Sequence, residues 1–416
     1  NKGWKNNRRH LKEYFASPST VMNSFLPHTA IRSLQALPSV SVRKKRKEKS
    51  VTPLMIRGSA EQVAEYLAEK SDTAGQTLLL LPEAWQEKDW EKFMAGFPST
   101  VRIQATQKPV EFFAAWSAIS TGRARLIFGT RSALFAPFHD LRAIIVADEG
   151  NENYKQIEPS PRYQARDAAW QAARIYGARL ILSSLSPSME TLARVRRGEA
   201  ECVDLLKGKP VADHCRIFDA QAERRKSPRW QPVSDTVLET ISECAKKGKV
   251  FVFLNKLGFA KTFLCRDCRY IFICPTCRTS LTYRKNPSGL FCFHCQNSFP
   301  YPISCPKCSG ANVFYGAAGV ERLEEECIGS LRGLDIVRVD SLGTASLEQV
   351  RAKIQTARVI IGKKRAFAIL PWNAISATIA VGIDSALRVP EFRTHERVFS
   401  TLAFLALLMP LRPYFS

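Results

Sequence analysis

Eight of the twelve cysteines lie between Cys265 and Cys308, in four C-x-x-C pairs: Cys265/Cys268, Cys274/Cys277, Cys292/Cys295 and Cys305/Cys308. A C-x-x-C turn sets two thiolates on one side of a tight loop, and two such turns complete a four-cysteine zinc site. Four turns therefore predict two structural zinc ions. Fourteen residues separate the inner pairs, close to the spacing of a zinc ribbon, so a nested arrangement is preferred: 274/277 with 292/295, and 265/268 with 305/308. Spacing alone permits other pairings. Disulfides are the competing use of cysteine, but no secretory segment supports an oxidising compartment.

A chain of 416 residues with 45% hydrophobic content has room for two to three domains with real cores. Its formal net charge of +23 is unevenly placed. Residues 1–50 carry twelve Lys/Arg against Glu13 and Glu48, and the cysteine stretch carries six against Asp267. Excess positive charge gathered on two segments points to a polyanionic partner, most often nucleic acid. A solvated basic surface is the plainer reading. The most apolar run, Val398 to Leu411, has the length of a buried core helix rather than a membrane span, so no membrane partner and a cytoplasmic setting are expected.

Residues 1–50 read as a basic arm or linker, and the run Arg43, Lys44, Lys45, Arg46, Lys47 is the candidate phosphate-contacting segment. From Thr52 the texture changes. Short continuous apolar runs (Gln76–Pro82, Ala124–Gly129, Arg142–Asp148, Ala178–Ser183) alternate with helix-length stretches such as Pro109–Ser120 and Tyr163–Tyr176. That alternation predicts a parallel sheet covered on both faces. After a charged, proline-bearing hinge at Lys207–Gln231 the texture returns, with strands expected at Val250–Leu254, Leu334–Val339, Ala357–Gly362 and Ile375–Ile383. The cysteine stretch interrupts this second unit directly after its first strand.

Specific residues carry a family resemblance. Phe128-Gly-Thr-Arg-Ser-Ala-Leu-Phe-Ala-Pro-Phe138, followed by Ile144-Ile-Val-Ala-Asp-Glu149, resembles the core of the primosomal protein N′ (PriA) replication-restart helicases. Tyr154-Lys-Gln156, Pro161-Arg-Tyr163, Ala165-Arg-Asp167, Pro187-Ser-Met-Glu190, Gly258-Phe-Ala260 and Pro390-Glu-Phe-Arg393 follow in order, and the eight cysteines keep the family's spacing. The resemblance implies an α/β fold of two RecA-like parallel-sheet lobes with a two-zinc module inserted in the second. The expected segments are 1–50 arm, 51–206 first lobe, 207–264 linker and start of the second lobe, 265–308 zinc module, and 309–416 the rest of that lobe. It also implies action at abandoned or branched replication forks, binding of branched or single-stranded DNA, and contact with single-strand-binding protein and primosome proteins.

The departures fall on the ATP chemistry. A phosphate loop needs glycines to wrap the phosphates, a lysine on the β/γ-phosphates and a hydroxyl on magnesium. At the matching stretch, Arg57-Gly-Ser-Ala-Glu-Gln-Val-Ala-Glu65, the lysine position is Gln62 and the hydroxyl position Val63, with Glu61 and Glu65 adding negative charge. Gly362-Lys-Lys-Arg365 and Ala368–Trp372 replace second-lobe motifs, and Leu408 and Leu411 stand at arginine-finger positions. Loss of an arginine finger alone costs ~10³–10⁵ in rate. The surviving Asp148 and Glu149 therefore read as vestigial or structural, no catalytic residue is expected, and ATP and magnesium are not expected as cofactors. Two rivals stand: an active ATP-dependent 3′-5′ DNA helicase, and a protein-interaction module for which zinc is only a staple.

Smaller candidates have plainer readings. His294 lies inside a C-x-x-C loop, but eight thiolates already fill two tetrahedra. Cys202, Cys215, Cys244 and Cys327 are isolated. Tyr270, Phe272, Tyr283, Phe291, Phe293, Phe299 and Tyr301 interleave with arginines in the cysteine stretch. They suit either stacking of single-stranded bases or the core of a small module.

Overall fold

The computed structural model describes residues 52–70, 75–104, 107–158, 162–206, 215–219, 222, 233–254, 262–265, 267–268, 270–284, 289–292, 294–316, 327–331, 333–339, 347–387 and 391–407. These residues fall into two compact units divided between Lys209 and Pro210.

The first unit is built on a seven-stranded sheet: β1 (Leu54–Arg57), β2 (Gln76–Leu80), β3 (Thr100–Ile103), β4 (Leu126–Gly129), β5 (Leu141–Val146), β6 (Arg179–Ser184) and β7 (Glu201–Asp204). The order is β3-β4-β2-β5-β6-β1-β7, and every pairing is parallel. Parallel pairing needs crossovers, and crossover helices cover both faces. Leu78, Leu80, Ile144 and Val146 accordingly point into one core, while Leu79, Leu81, Ile145 and Ala147 point into another. With a core on each face, the inner parts of the central strands, such as Leu78–Leu81 and Ile144–Ala147, run apolar at successive positions instead of alternating.

Helix α1 (Ala60–Ala68) seals one face with Val63, Ala64 and Leu67. Helices α2 (Pro109–Ser120) and α3 (Ala165–Tyr176) lie on the other, α3 through Ala165, Ala168, Ala169, Ala172 and Ala173. Pro109 begins α2 where a missing N–H is harmless, and Gly177 ends α3 at φ 64. Gln76 sits 1% exposed at the start of β2 with its amide fully used. Its Nε2 donates to the carbonyls of Ile119 and Ala124, and its Oε1 accepts from the N–H groups of His139 and Asp140.

The second unit has a four-stranded parallel sheet of β8 (Lys249–Leu254), β14 (Ile336–Val339), β15 (Val359–Gly362) and β16 (Ile375–Val381), in the order β14-β15-β8-β16. Helix α5 (Asp235–Lys247), capped by Ser234, packs Leu238, Ile241 and Ala245 against Val250, Val252, Val359 and Ile361. Helix α4 (Met189–Arg196) belongs to the first unit, between β6 and β7. Helix α6 (Leu347–Thr356) connects β14 to β15, and Lys249 Nζ donates to the carbonyls of Ile354, Gln355 and Ala357 at its C-terminal end.

Between β8 and β14 the chain makes a separate antiparallel sheet of β9 (Thr262–Cys265), β10 (Thr282–Arg284), β11 (Gly289–Phe291), β12 (Ser298–Phe299) and β13 (Val313–Gly316), in the order β12-β11-β10-β9-β13. The cysteine module is thus an insertion after the first strand of the second parallel sheet, as its place in the sequence implies. Its own core is Phe263, Phe272, Leu281 and Leu290 with Cys274 and Cys292.

Candidate metal centres and the phosphate-loop position

The eight clustered cysteines form two four-thiol sets, Cys265/Cys268/Cys305/Cys308 and Cys274/Cys277/Cys292/Cys295, each with its sulfurs within 4.8 Å of one another. Between the knuckles, Sγ–Sγ separations are 3.6 Å (265–308), 3.5 Å (268–305), 3.5 Å (274–295), 3.4 Å (277–292) and 3.8 Å (277–295). Corners of a tetrahedron with metal–sulfur bonds of ~2.3 Å lie about 3.8 Å apart, so both donor sets fit a tetrahedral ion. None of the eight is in a disulfide. The nested pairing expected from spacing is the one present.

Four copies of one backbone turn hold these thiols. In each, the first cysteine's N–H donates to the carbonyl five residues on: Cys265 to Tyr270, Cys274 to Thr279, Cys292 to Asn297 and Cys305 to Gly310, at 2.7–2.9 Å. Among the described residues, the residue after the second cysteine is left-handed at Arg278 (φ 61), Gln296 (φ 62) and Ser309 (φ 57). Its N–H returns to the first cysteine's carbonyl in each case. A side chain in that region costs roughly 1–2 kcal/mol, so the turn is held by what surrounds it. Two hydrogen bonds tie knuckle to knuckle: Asn312 Nδ2 donates to Asp267 Oδ1 at 2.8 Å, and Asn297 Nδ2 to Thr276 Oγ1 at 3.2 Å. Gly310 sits so close to Asp267 Oδ2 that an added Cβ would meet it at 2.3 Å.

His294 is exposed and belongs to neither set. Phe272 and Phe291 are buried, and Tyr270 and Phe299 pack against the module's core. Tyr301 remains 44% exposed with its ring edge-on to Phe263 at 5.2 Å. The core reading therefore holds for Phe272 and Phe291. Phe293 and the Tyr283 side chain lie outside the described residues, as do Arg43, Lys44, Lys45, Arg46, Lys47, Leu408 and Leu411.

At the phosphate-loop position, β1 ends at Arg57 and α1 begins at Ala60, leaving only Gly58 and Ser59 between them. A wrapping loop spans at least four residues before its second glycine. This turn is instead a capping box: Ser59 Oγ accepts from the Gln62 N–H at 3.2 Å, and Gln62 Oε1 accepts from the Ser59 N–H at 3.0 Å. Val63 is fully buried in the core. Gln62 and Val63 are thus committed to helix capping and packing.

The acidic pair follows β5. Asp148, at φ 46, accepts from Asn151 Nδ2 at 2.8 Å and from Ser184 Oγ at 3.2 Å. Glu149 is 0% exposed and accepts from the Ser188 N–H (2.6 Å), Ser188 Oγ (2.9 Å) and Arg166 Nη1 (3.3 Å). Burial pushes the Glu149 carboxyl above its ordinary range, opposed by the Arg166 charge and the Ser188 bonds. Burial works against the Arg166 charge as well, but Glu149, Asp167 and Glu190 outweigh it and hold that guanidinium above its usual value. Arg166 is 1% exposed, a partner that spacing along the sequence does not reveal.

Trp372, at the end of one replaced second-lobe stretch, belongs to an aromatic cluster. Phe404, on helix α7 (Thr394–Leu407), stacks on Phe367 (4.9 Å, 9°) and meets Trp372 edge-on (5.6 Å). Phe251 and Phe253 of β8 complete it from the sheet. Sequence reading located the altered positions but not their contact; the aromatic type at 367, 372 and 404 was the available signal.

No protein-family model matches the chain. Among curated proteins, the replication restart protein PriA of Bacillus subtilis (strain 168) is 30% identical over 338 residues, 79% of this chain and 42% of that protein. The PriA of Chlamydia pneumoniae is 31% identical over 358 residues, 82% of this chain and 48% of that protein. Among solved structures, the DUF1998 helicase MrfA bound to DNA aligns with a TM-score of 0.40 at 11% identity, over 89% of this chain and 50% of that one. A likeness of that size carries no argument. The sequence matches do: with eight cysteines in nested order, inserted after the first strand of a second parallel sheet, the chain belongs to the replication restart protein PriA family and spans about half the length of the curated relatives it matches.

Proposed function

We propose that this chain is a DNA-binding replication-restart protein that recognises stalled or branched forks and supports primosome assembly without ATP hydrolysis or unwinding. Its partners in this reading are branched or single-stranded DNA, single-strand-binding protein and primosome proteins, in the cytoplasm. Two zinc ions, held by Cys265, Cys268, Cys305, Cys308 and by Cys274, Cys277, Cys292, Cys295, would supply structural cross-links and no chemistry. Arg43, Lys44, Lys45, Arg46 and Lys47 supply phosphate contacts, and charge excess on the module adds to them. Among the described residues no helix is long and apolar enough to cross a membrane.

The observation that carries the proposal is the two-residue turn between β1 and α1. Its polar groups are spent on a capping box, so neither lysine nor hydroxyl nor loop is available for a triphosphate. Asp148 and Glu149 are bound to their own neighbours, which supports reading them as structural. The test pairs two measurements on the zinc-loaded chain. Fork DNA should bind with affinity that falls steeply with salt and weakens on chelation. DNA-stimulated phosphate release from ATP should be absent. Phosphate release that disappears in Asp148→Ala would overturn the proposal in favour of an active helicase. Charge reversal across Arg43–Lys47 that leaves fork binding unchanged would favour a protein-interaction module.

A further inference from the structure

The two four-thiol sets share one turn geometry but differ in what surrounds them. Cys274 and Cys292 of the inner set lie inside the module's hydrophobic core with Phe263, Phe272, Leu281 and Leu290, and Cys277 and Cys295 pack against it. None of the outer four belongs to that core. Cys265 and Cys305 are buried locally, Cys268 is half-buried, and Cys308 is exposed. A competing ligand can therefore approach the outer set at Cys308, whereas the inner set has no fully exposed thiolate.

The outer set also closes the longer loop. Thirty-six residues separate Cys268 from Cys305, against fourteen between Cys277 and Cys292. Longer closures cost more entropy. Among the described residues, what draws the outer knuckles together is the β9–β13 ladder, Cys265 opposite Val313 and Thr262 opposite Gly316, and the Asp267–Asn312 bond. The inner knuckles are joined through β10 and β11, which are antiparallel neighbours in the middle of the sheet.

We propose that the outer set is an exchangeable metal site and the inner set a permanent one, so that the module has a stable one-metal state in which the β9–β13 arm is loosened while the β10–β11 ribbon stays folded. This rests on the two-zinc reading above. Releasing the outer ion converts four thiolates to thiols as they take up protons, with no change of oxidation state. Strands β9 and β13 are where the module's chain leaves and re-enters the second lobe, so outer-site occupancy sets how firmly the module is held to that lobe.

The test is a chelator titration of the zinc-loaded full chain, followed by native mass spectrometry for bound zinc and by hydrogen exchange for backbone protection. A one-zinc species should accumulate, with release of the first zinc at least about tenfold faster than the second, the scale of outer-shell effects. In that species the amides of β9 and β13 should lose protection while those of β10 and β11 keep it. Asp267→Ala, which removes the acceptor of the Asn312 bond, should speed the first release and leave the second unchanged, whereas Asn297→Ala should speed the second. Should Asp267→Ala fail to fold, the wild-type titration stands alone. Concerted loss of both ions, or early loss of β10–β11 protection, overturns the inference. A chain that never holds zinc overturns the two-zinc reading itself.

Discussion

The β1–α1 turn and the cysteine module use their residues in opposite ways. The two four-thiol sets gather their side chains at shared centres, while at the turn only Gly58 and Ser59 separate strand from helix. A structural metal is part of the folded state, and its binding energy is folding energy. A phosphate loop is the reverse. Its glycines and unpaired N–H groups cost the fold something, and its ligand comes and goes. At this turn Ser59 and Gln62 satisfy each other and Val63 is buried. The comparison teaches that side chains can be spent on the fold itself, as at the turn, or gathered so that an ion is what satisfies them, as in the two four-thiol sets.

Four experiments press on that contrast. The largest effect belongs to Cys292→Ser, which removes a ligand lying inside the module's core. Structural zinc is worth about 10–16 kcal/mol in small fingers, so the module should lose zinc and its ordered sheet together, read by metal content and near-ultraviolet circular dichroism. Next is Glu149→Ala, which leaves Arg166 buried beside Ser188 without its main carboxylate. A loss of about 3–5 kcal/mol in urea unfolding of the first unit is expected, with zinc content unchanged. A cost near zero would mean that the acidic pair is not structural.

Third, Gln62→Lys with Val63→Thr places the side chains of a phosphate site at the two-residue turn. It should cost about 2 kcal/mol, from the lost box and a buried hydroxyl, and give no ATP binding by calorimetry. The smallest effect is at Asp89, whose carboxyl is raised from 3.8 to about 6 by burial, with Glu61 and Glu91 adding to the shift and Lys88 opposing it. Its protonated form is the favoured one in the fold. That contribution is full below pH ~4 and is lost as pH rises through about 6. Asp89→Asn should therefore stabilise the first unit above pH 6 by about 1 kcal/mol after allowance for partial exposure, and flatten that part of the stability profile.

What was legible in the chain follows from where its signals are strong. The buried strands β2, β4, β5, β6, β8 and β15 announce themselves because both faces are dry, and α2 runs over the expected Pro109–Ser120. The edge strands β3 and β7 carry Arg102, Glu201 and Asp204, so the continuous apolar run that marks a central strand is missing there. The cysteine sets were readable because ligand chemistry fixes both residue type and spacing. The partners of Glu149 were not. Arg166 and Ser188 lie 17 and 39 residues away; the start of α3 brings the first to the carboxylate, and the β5–β6 pairing with the start of α4 brings the second. The fate of Phe404 was hidden likewise, because stacking on Phe367 depends on how α7 returns to the sheet.

The Glu149–Arg166 pair bears on why such residues are kept. Either single replacement carries a cost: without Arg166, Glu149 is left buried against Ser188, and without Glu149, Arg166 is left in the interior with the half-exposed Asp167 and Glu190 as its carboxylate partners. An acidic pair bound so closely to its own neighbours has a reason to be kept that is independent of nucleotide chemistry.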